Sequence, residues 1–373
     1  MKHYFLGAGA GFTRRERLRH TFAMGRKKDC VALAQYLGLR YGGEAVLCKN
    51  GRSALCLALK ACFRPGEAVI VNGFTCYAVY EAVKAAGLVP VFADISKRDL
   101  NFNFGTLEAS MKPGDSRIRV AGIIVQNTLG NPVDIKAVEN FAKEYGLLII
   151  EDLAHSAGVR YADGREAGTV GVATALSFGK DKSIDTVSGG AVIIRDEALV
   201  SKSMPSRPPK PSDHLRARFY PLFGAMYRGL SYVKLNGVFM RCLLAMHWVE
   251  RSADNKLDLT RRISEFEARL ALRQFRELKK SGEPPLREFC YVNNREETLR
   301  ELASAGYYFG GFWYERPVSP ERYYKKVHFP EEKCPNAVWA AEHIVNLPNY
   351  YSKKDLAEAR KIIKKHEVKE ANG

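Results

Sequence analysis

The chain predicts an α/β protein: a mostly parallel sheet flanked by helices, followed by a smaller C-terminal α+β part. Three observations carry that expectation. The chain has 373 residues, 46% of them hydrophobic, enough to bury one large core or two unequal ones. From Asn50 to Ile194 short apolar runs alternate with helical patterns, the signature of parallel strands joined by crossover helices. Beyond Ile194 the alternation stops, and helical stretches mix with short strand-like runs.

The predicted strands, in order, are Ala68–Val71, Val89–Phe92, Val120–Val125, Leu147–Ile150, Ala175–Phe178 and Ala191–Ile194. Each is a short run rich in β-branched or small apolar residues, as a strand buried on both faces requires. Between them, apolar residues three or four apart predict helices over Ser53–Cys62, Tyr77–Ala86 and Ile135–Tyr145, ending near Gly66, Gly87 and Gly146. The prolines of Met204-Pro205-Ser206-Arg207-Pro208-Pro209-Lys210-Pro211 read as an extended connector. A long amphipathic helix is expected from Leu259 to Leu278, with Ile263, Phe266, Leu270 and Phe275 on one face. The expected division is 1–204 for the large part with an N-terminal helical segment, 205–256 for a basic, aromatic-rich insertion, and 257–373 for the long helix and a small C-terminal domain.

The formal charge of +17 is unevenly spread: residues 1–30 and 202–256 together supply thirteen of the seventeen charges, so the body is nearly balanced. That distribution does not suit a nucleic-acid groove, and no nucleic-acid motif accompanies it. The eight cysteines form no CxxC pair and no Cys/His group at metal-ligand spacing, so no disulfide scaffold or metal centre is expected. With no apolar run long enough to span a bilayer and no signal-peptide core, the expectation is a cytoplasmic protein with reduced thiols.

Three features carry chemistry. Asp152 follows the run Leu147–Ile150 and so falls at the carboxyl end of a parallel strand, where open sheets place their ligands. An aspartate kept anionic beside a pyridine ring holds the ring nitrogen protonated, which lets a cofactor accept electrons from a substrate carbanion. An ordinary strand-end or cap aspartate would look the same locally. Lys182 lies thirty residues on, past Leu176-Ser177-Phe178 and before Gly189-Gly190, on a loop able to shelter an amine. Lys180 is a rival that local spacing leaves open. Asn50-Gly51-Arg52-Ser53-Ala54 opens a helix whose free N–H groups suit a phosphate, although Ser53 could equally be a plain N-terminal cap.

Several segments resemble the DegT/StrS group of sugar aminotransferases. Gly51-Arg52-Ser53-Ala54-Leu55 is similar to the group's phosphate turn, Pro65–Val71 to its Pro-Gly-Asp-Glu-Val strand entry, and Phe74-Thr75 to its Thr-Phe segment. Glu151-Asp152-Leu153-Ala154-His155, Ser177-Phe178-Gly179-Lys180-Asp181-Lys182 with Gly189-Gly190, Cys334-Pro335-Asn336-Ala337 and Asn346-Leu347-Pro348 resemble its further signatures. The resemblance implies a fold type I transferase with a seven-stranded sheet and pyridoxal 5'-phosphate as cofactor. It implies Lys182 as the Schiff-base lysine, in preference to Lys180, Asp152 on the pyridine nitrogen, His155 near the phenolic oxygen, and Gly51, Arg52, Ser53 and Ser177 around the phosphate. It also implies a homodimer that transfers an amino group from glutamate to a nucleotide-linked keto-sugar. Relatives that work as dehydratases carry histidine in place of the lysine, so Lys182 argues against that reading; a non-catalytic scaffold is the other rival. Departures from the pattern include Cys76 where a ring-stacking aromatic is common, which passes stacking to Tyr77 or His155, and Arg52 in place of threonine.

The largest departure is 205–256, where aromatic and aliphatic residues from Phe219 to Trp248 are interleaved with arginines and lysines. One reading is a pair of interfacial helices on an anionic bilayer through 215–249. The other is a subunit interface or a cover over the active site.

Overall fold

The computed structural model describes residues 3–5, 12–112, 117–199, 205, 207–250, 255–278, 286–309 and 313–368. Of the proline-dense connector, Met204 and Ser206 lie outside them.

Seven strands form the central sheet: β2 (Glu44–Cys48), β3 (Ala68–Asn72), β5 (Val89–Ala93), β6 (Val120–Val125), β7 (Leu148–Asp152), β8 (Ala173–Ser177) and β9 (Gly190–Ile194). They lie in the order β2-β9-β8-β7-β6-β3-β5. All run the same way except β9, which is antiparallel to both its neighbours. Side chains alternate across the sheet and so create two cores. Val69 and Val71 face α3 (Gly51–Cys62) and α4 (Tyr77–Ala85), while Ala68 and Ile70 face α2 (Lys27–Tyr41), α5 (Ile135–Tyr145) and α8 (Glu265–Glu277).

Most expected elements appear within a residue or two, and the departures have local causes. Strand β2 was not expected: its five residues follow Gly42-Gly43, begin with an exposed glutamate and give no alternation to read. The long helix begins at Ser264, not Leu259, because Ser264 and Glu267 form a reciprocal capping box. The segment before it is extended and braces the start of α3, where the Asp258 N–H donates to Ser53 Oγ at 3.0 Å. Helix α3 stops at Phe63 in extended backbone, whereas Gly146 caps α5 in the left-handed conformation as expected.

Within the basic stretch lie two helices, α6 (Pro211–Ser231) and α7 (Asn236–Ala245), after the N-terminal α1 (Arg14–Thr21). In the C-terminal part β10 (Arg287–Tyr291) pairs antiparallel with β13 (Ile344–Pro348) beside α9 (Arg295–Ser304), α11 (Pro335–His343) and α12 (Ala357–Lys365). Two short parallel pairings stitch this part back to the rest: β1 (Tyr4–Phe5) with β11 (Tyr307–Tyr308), and β4 (Thr75–Cys76) with β12 (Val318–Ser319), which precedes α10 (Glu321–Val327).

Candidate active site

The carboxyl ends of the parallel strands converge on one chamber. Asp152 ends β7 and Ser177 ends β8, while Gln126 and His155 follow β6 and β7. The two adjacent carboxylates there differ in role. Glu151 is fully buried and accepts four hydrogen bonds, from Tyr161 Oη and Gly168 N at 2.7 Å, Val170 N at 2.7 Å and Gly171 N at 2.8 Å. It pins the loop between β7 and β8. Among the described residues Asp152 accepts only the Ala154 N–H, at 2.9 Å. Burial pushes its carboxyl above the ordinary range, and the Ala154 N–H and nearby Lys182 pull the other way.

Lys182 shares that chamber. Burial lowers its ammonium pKa, with Cys76 and Asp152 opposing the shift, which eases loss of its proton. Its Nζ lies 4.5 Å from the centre of the Trp313 ring. Lys180, the rival by spacing, points elsewhere: its Nζ donates to the Glu250 carbonyl at 2.6 Å and sits 4.2 Å from the Tyr220 ring centre. Geometry thus separates two lysines that spacing could not.

His155 accepts the Leu129 N–H on Nδ1 at 3.2 Å, leaving the proton on Nε2, 3.5 Å from Tyr314 Oη. Burial, with Lys182 and Arg287 nearby, drives its pKa well down, so the ring is neutral. Trp313 stacks on it with centroids 5.0 Å apart. The chamber's floor is a polar network: Thr75 Oγ1 donates to Gln126 Oε1 at 2.6 Å, and Gln126 Nε2 donates to the Phe74 carbonyl at 2.8 Å.

Beside this chamber α3 begins. Asn50, not Ser53, caps the helix, accepting the Ser53 N–H at 2.9 Å. A methyl group at Gly51 would lie 2.5 Å from Ser177 Cβ, so only glycine lets the helix start approach Ser177 this closely. A methyl at Gly190 would lie 2.7 Å from backbone atoms of Asn50 and Leu176, which gives the Gly189-Gly190 pair its steric reason. Ser53 Oγ is used by Asp258, and the Arg52 guanidinium is held by Glu81 and the Asn255 carbonyl. Both line the helix start while engaged with protein partners.

Of the two ring-stacking candidates, Tyr77 stacks on Tyr323 at 4.4 Å, while the His155 ring lies against Trp313; Cys76 caps α4, its Sγ accepting the Ala78 N–H at 3.5 Å. The aromatic in the chamber is Trp313, with Tyr314 and the fully buried Arg287 behind it. These three escaped sequence reasoning. They come from the C-terminal part, more than a hundred residues beyond Lys182, and only the run Phe312-Trp313-Tyr314 hinted at a packed aromatic site.

Pyridoxal phosphate suits these residues. A buried carboxylate, a buried amine and a helix start that excludes a methyl group are the three things its ring nitrogen, aldehyde and phosphate require.

Over 198 residues the chain is 33% identical to the GDP-perosamine synthase of Caulobacter vibrioides, covering 53% of this chain and 51% of that protein. Over 172 residues it is 31% identical to the UDP-N-acetyl-3-dehydro-alpha-D-glucosamine 3-aminotransferase of Acidithiobacillus ferrooxidans, covering 46% and 45% respectively. The chain thus spans about half the length of these curated relatives. A crystal structure of a DegT DnrJ EryC1 StrS aminotransferase from Brucella abortus superposes with a TM-score of 0.66 at 21% identity, covering 94% of this chain and 93% of that one, which shows a common fold. Residues 21–215, just over half the chain, match the DegT/DnrJ/EryC1/StrS model, and the chain belongs to that aminotransferase family.

Proposed function

We propose that the protein is a pyridoxal-phosphate-dependent aminotransferase that moves an amino group from glutamate to a nucleotide-linked keto-sugar. The observation that carries this reading is the meeting of Lys182, Asp152 and His155 in one buried chamber beside the start of α3. When bound, the cofactor supplies an electron sink for the carbanion formed at the substrate carbon.

The chain's own groups do the rest. Lys182, whose proton burial makes easier to lose, would carry the proton between the substrate carbon and the cofactor carbon. Asp152, costly to keep ionised in isolation, would pair with the cofactor's protonated ring nitrogen and keep the proton on it. His155, its tautomer fixed by the Leu129 N–H, would stand near the cofactor's phenolic oxygen. Two relatives support the substrate class, since one is named for a GDP-linked and the other for a UDP-linked sugar.

A homodimer is part of the proposal. Phe22, Met24, Val31 and Leu39, exposed on and between α1 and α2, offer an apolar subunit face. Light scattering on the eluted protein should give twice the chain mass.

The test of the reaction is the absorption spectrum of the protein with pyridoxal phosphate. Wild type should show a band near ~410–430 nm, usual for this cofactor held by a lysine, and Lys182→Ala should lack it. Borohydride reduction and peptide mapping should find the cofactor on Lys182, and added glutamate should release 2-oxoglutarate. No band in wild type, or the label on Lys180, would sink the assignment; release of another keto acid in place of 2-oxoglutarate would change the donor.

A further inference from the structure

The exposed side of the α6–α7 pair combines exposed apolar residues with a lack of acidic ones. Between Asp213 and Glu250 the sequence contains no acidic residue. Tyr232, Val233 and Leu235 in the turn are 59%, 62% and 52% exposed, and Val238 on α7 and Met246 at its C-cap are 49% and 59% exposed. On α7, Val238, Arg241, Cys242 and Ala245 fall three or four apart and are all exposed, so one helix face is apolar with a cation in it. Lys234 and Arg241 are exposed beside these residues.

The opposite side of the pair is firmly attached to the protein. Ala217, Tyr220 and Leu243 are buried in a shared core with Phe266 of α8. His20 of α1 donates to the Ala217 carbonyl at 2.9 Å, and Arg216 pairs with Glu250. The pair thus joins the protein through one side, with His3 stacked on Tyr232 at the edge of the turn. Among the described residues no helix is long and apolar enough to cross a membrane.

We infer that the α6–α7 pair docks the protein on an anionic lipid bilayer, with the Tyr232–Val238 turn and the outer face of α7 lying among the headgroups. Charge complementarity selects this occupant. A two-fold contact with a second copy would bring the same acid-free, cationic surface against itself, which like charges oppose. An anionic bilayer offers apolar depth to Leu235 and Val238 and negative charge to Lys234 and Arg241 at once. The inference is independent of the proposed reaction, so Lys182→Ala should dock like wild type whether or not that reaction is right.

The test is co-sedimentation of the full-length protein with vesicles of phosphatidylcholine alone or with phosphatidylglycerol. Wild type should pellet with the anionic vesicles at low salt, stay in solution with the neutral ones, and detach near 1 M salt, where the screening length falls to about 3 Å. Leu235→Glu/Val238→Glu should bind at least tenfold more weakly, and Lys234→Gln/Arg241→Gln should lose the preference for anionic lipid, both with wild-type melting temperature. Absence of binding to anionic vesicles at low salt overturns the inference, as does a glutamate variant that pellets like wild type. So does a glutamate variant whose mass in solution is half that of wild type, which would make the surface a subunit contact.

Discussion

Glu151 and Asp152 are neighbours in sequence, both buried, and opposite in use. Glu151 spends both oxygens on four protein donors, so Glu151→Gln turns an acceptor toward N–H groups and leaves at least one donor unmet. A loss of about 2–3 kcal/mol is expected in denaturant unfolding, with any activity loss following stability. Asp152 makes one protein hydrogen bond, which an amide oxygen can replace. Asp152→Asn should leave the unfolding midpoint within about 1 kcal/mol of wild type and lower amino transfer by ~10²-fold or more. A variant pair with the reverse pattern would refute this division of labour. His155 adds a pH expectation: already neutral in the folded chain, it should cause no break in the activity profile near 6.5, the ordinary histidine value. Asp152 stood out as a candidate in the sequence because the apolar run before it marks a strand end, whereas Lys182 was preferred to Lys180, and Ser177 named, only through the family resemblance. Trp313 and Arg287 were not legible there, because nothing local records that β10 and the segment before β12 return to the chamber.

Helix α6 is docked on α1 through the buried His20 ring, whose Nε2 donates to the Ala217 carbonyl at 2.9 Å. Burial lowers the His20 pKa from 6.5 to about 4, against the pull of that hydrogen bond. The unfolded chain therefore takes up this proton as the pH falls through 6.5, and the folded chain only near 4. The unfolded state binds more protons in that window, so stability drops as the pH falls through it, by about 3 kcal/mol for this group. His20→Gln should flatten the dependence of the melting temperature on pH between those values, and an unchanged slope would dismiss His20 as its source. The start of α3 answers to sterics in the same way. Gly51→Ala forces a methyl group against Ser177, so a cost of about 1–3 kcal/mol together with weaker cofactor retention is expected from calorimetry and dialysis. Sequence periodicity located α3 and α5 well because their buried faces repeat every three or four residues. It missed β2 and overextended α8 because the first owes its strand to pairing with β9 and the second its start to the Ser264–Glu267 cap.

The whole molecule is held together by segments that bind far outside their own neighbourhood, and Asp94 shows how. It sits just past the end of β5, buried, and its two carboxylate oxygens accept the Asn336 N–H at 3.2 Å and the Ala337 N–H at 3.0 Å. Those are the second and third residues of α11, so the sheet supplies the anion that caps a helix more than two hundred residues later. Asn336 answers by donating its side-chain amide to the Ile95 carbonyl at 2.9 Å, and Tyr291 Oη donates to the Lys97 carbonyl at 2.8 Å. Periodicity could find both elements yet say nothing of this junction, because a cap donated across the fold leaves no spacing in the sequence. Removing it by Asp94→Ala should cost about 1–2 kcal/mol, the range for losing a helix cap, and more if the buried N–H groups stay unmet. Since α11 leads directly into β13, which pairs with β10 and so carries Arg287 toward the chamber, the same change should loosen the site. The expected signature is earlier hydrogen exchange at Asn336–Ala340 and across β10, with the sheet strands β6 and β7 still protected. Exchange that rose equally in all of these strands would mean that Asp94 supports global stability alone, and that the C-terminal part is held to the sheet by its apolar contacts.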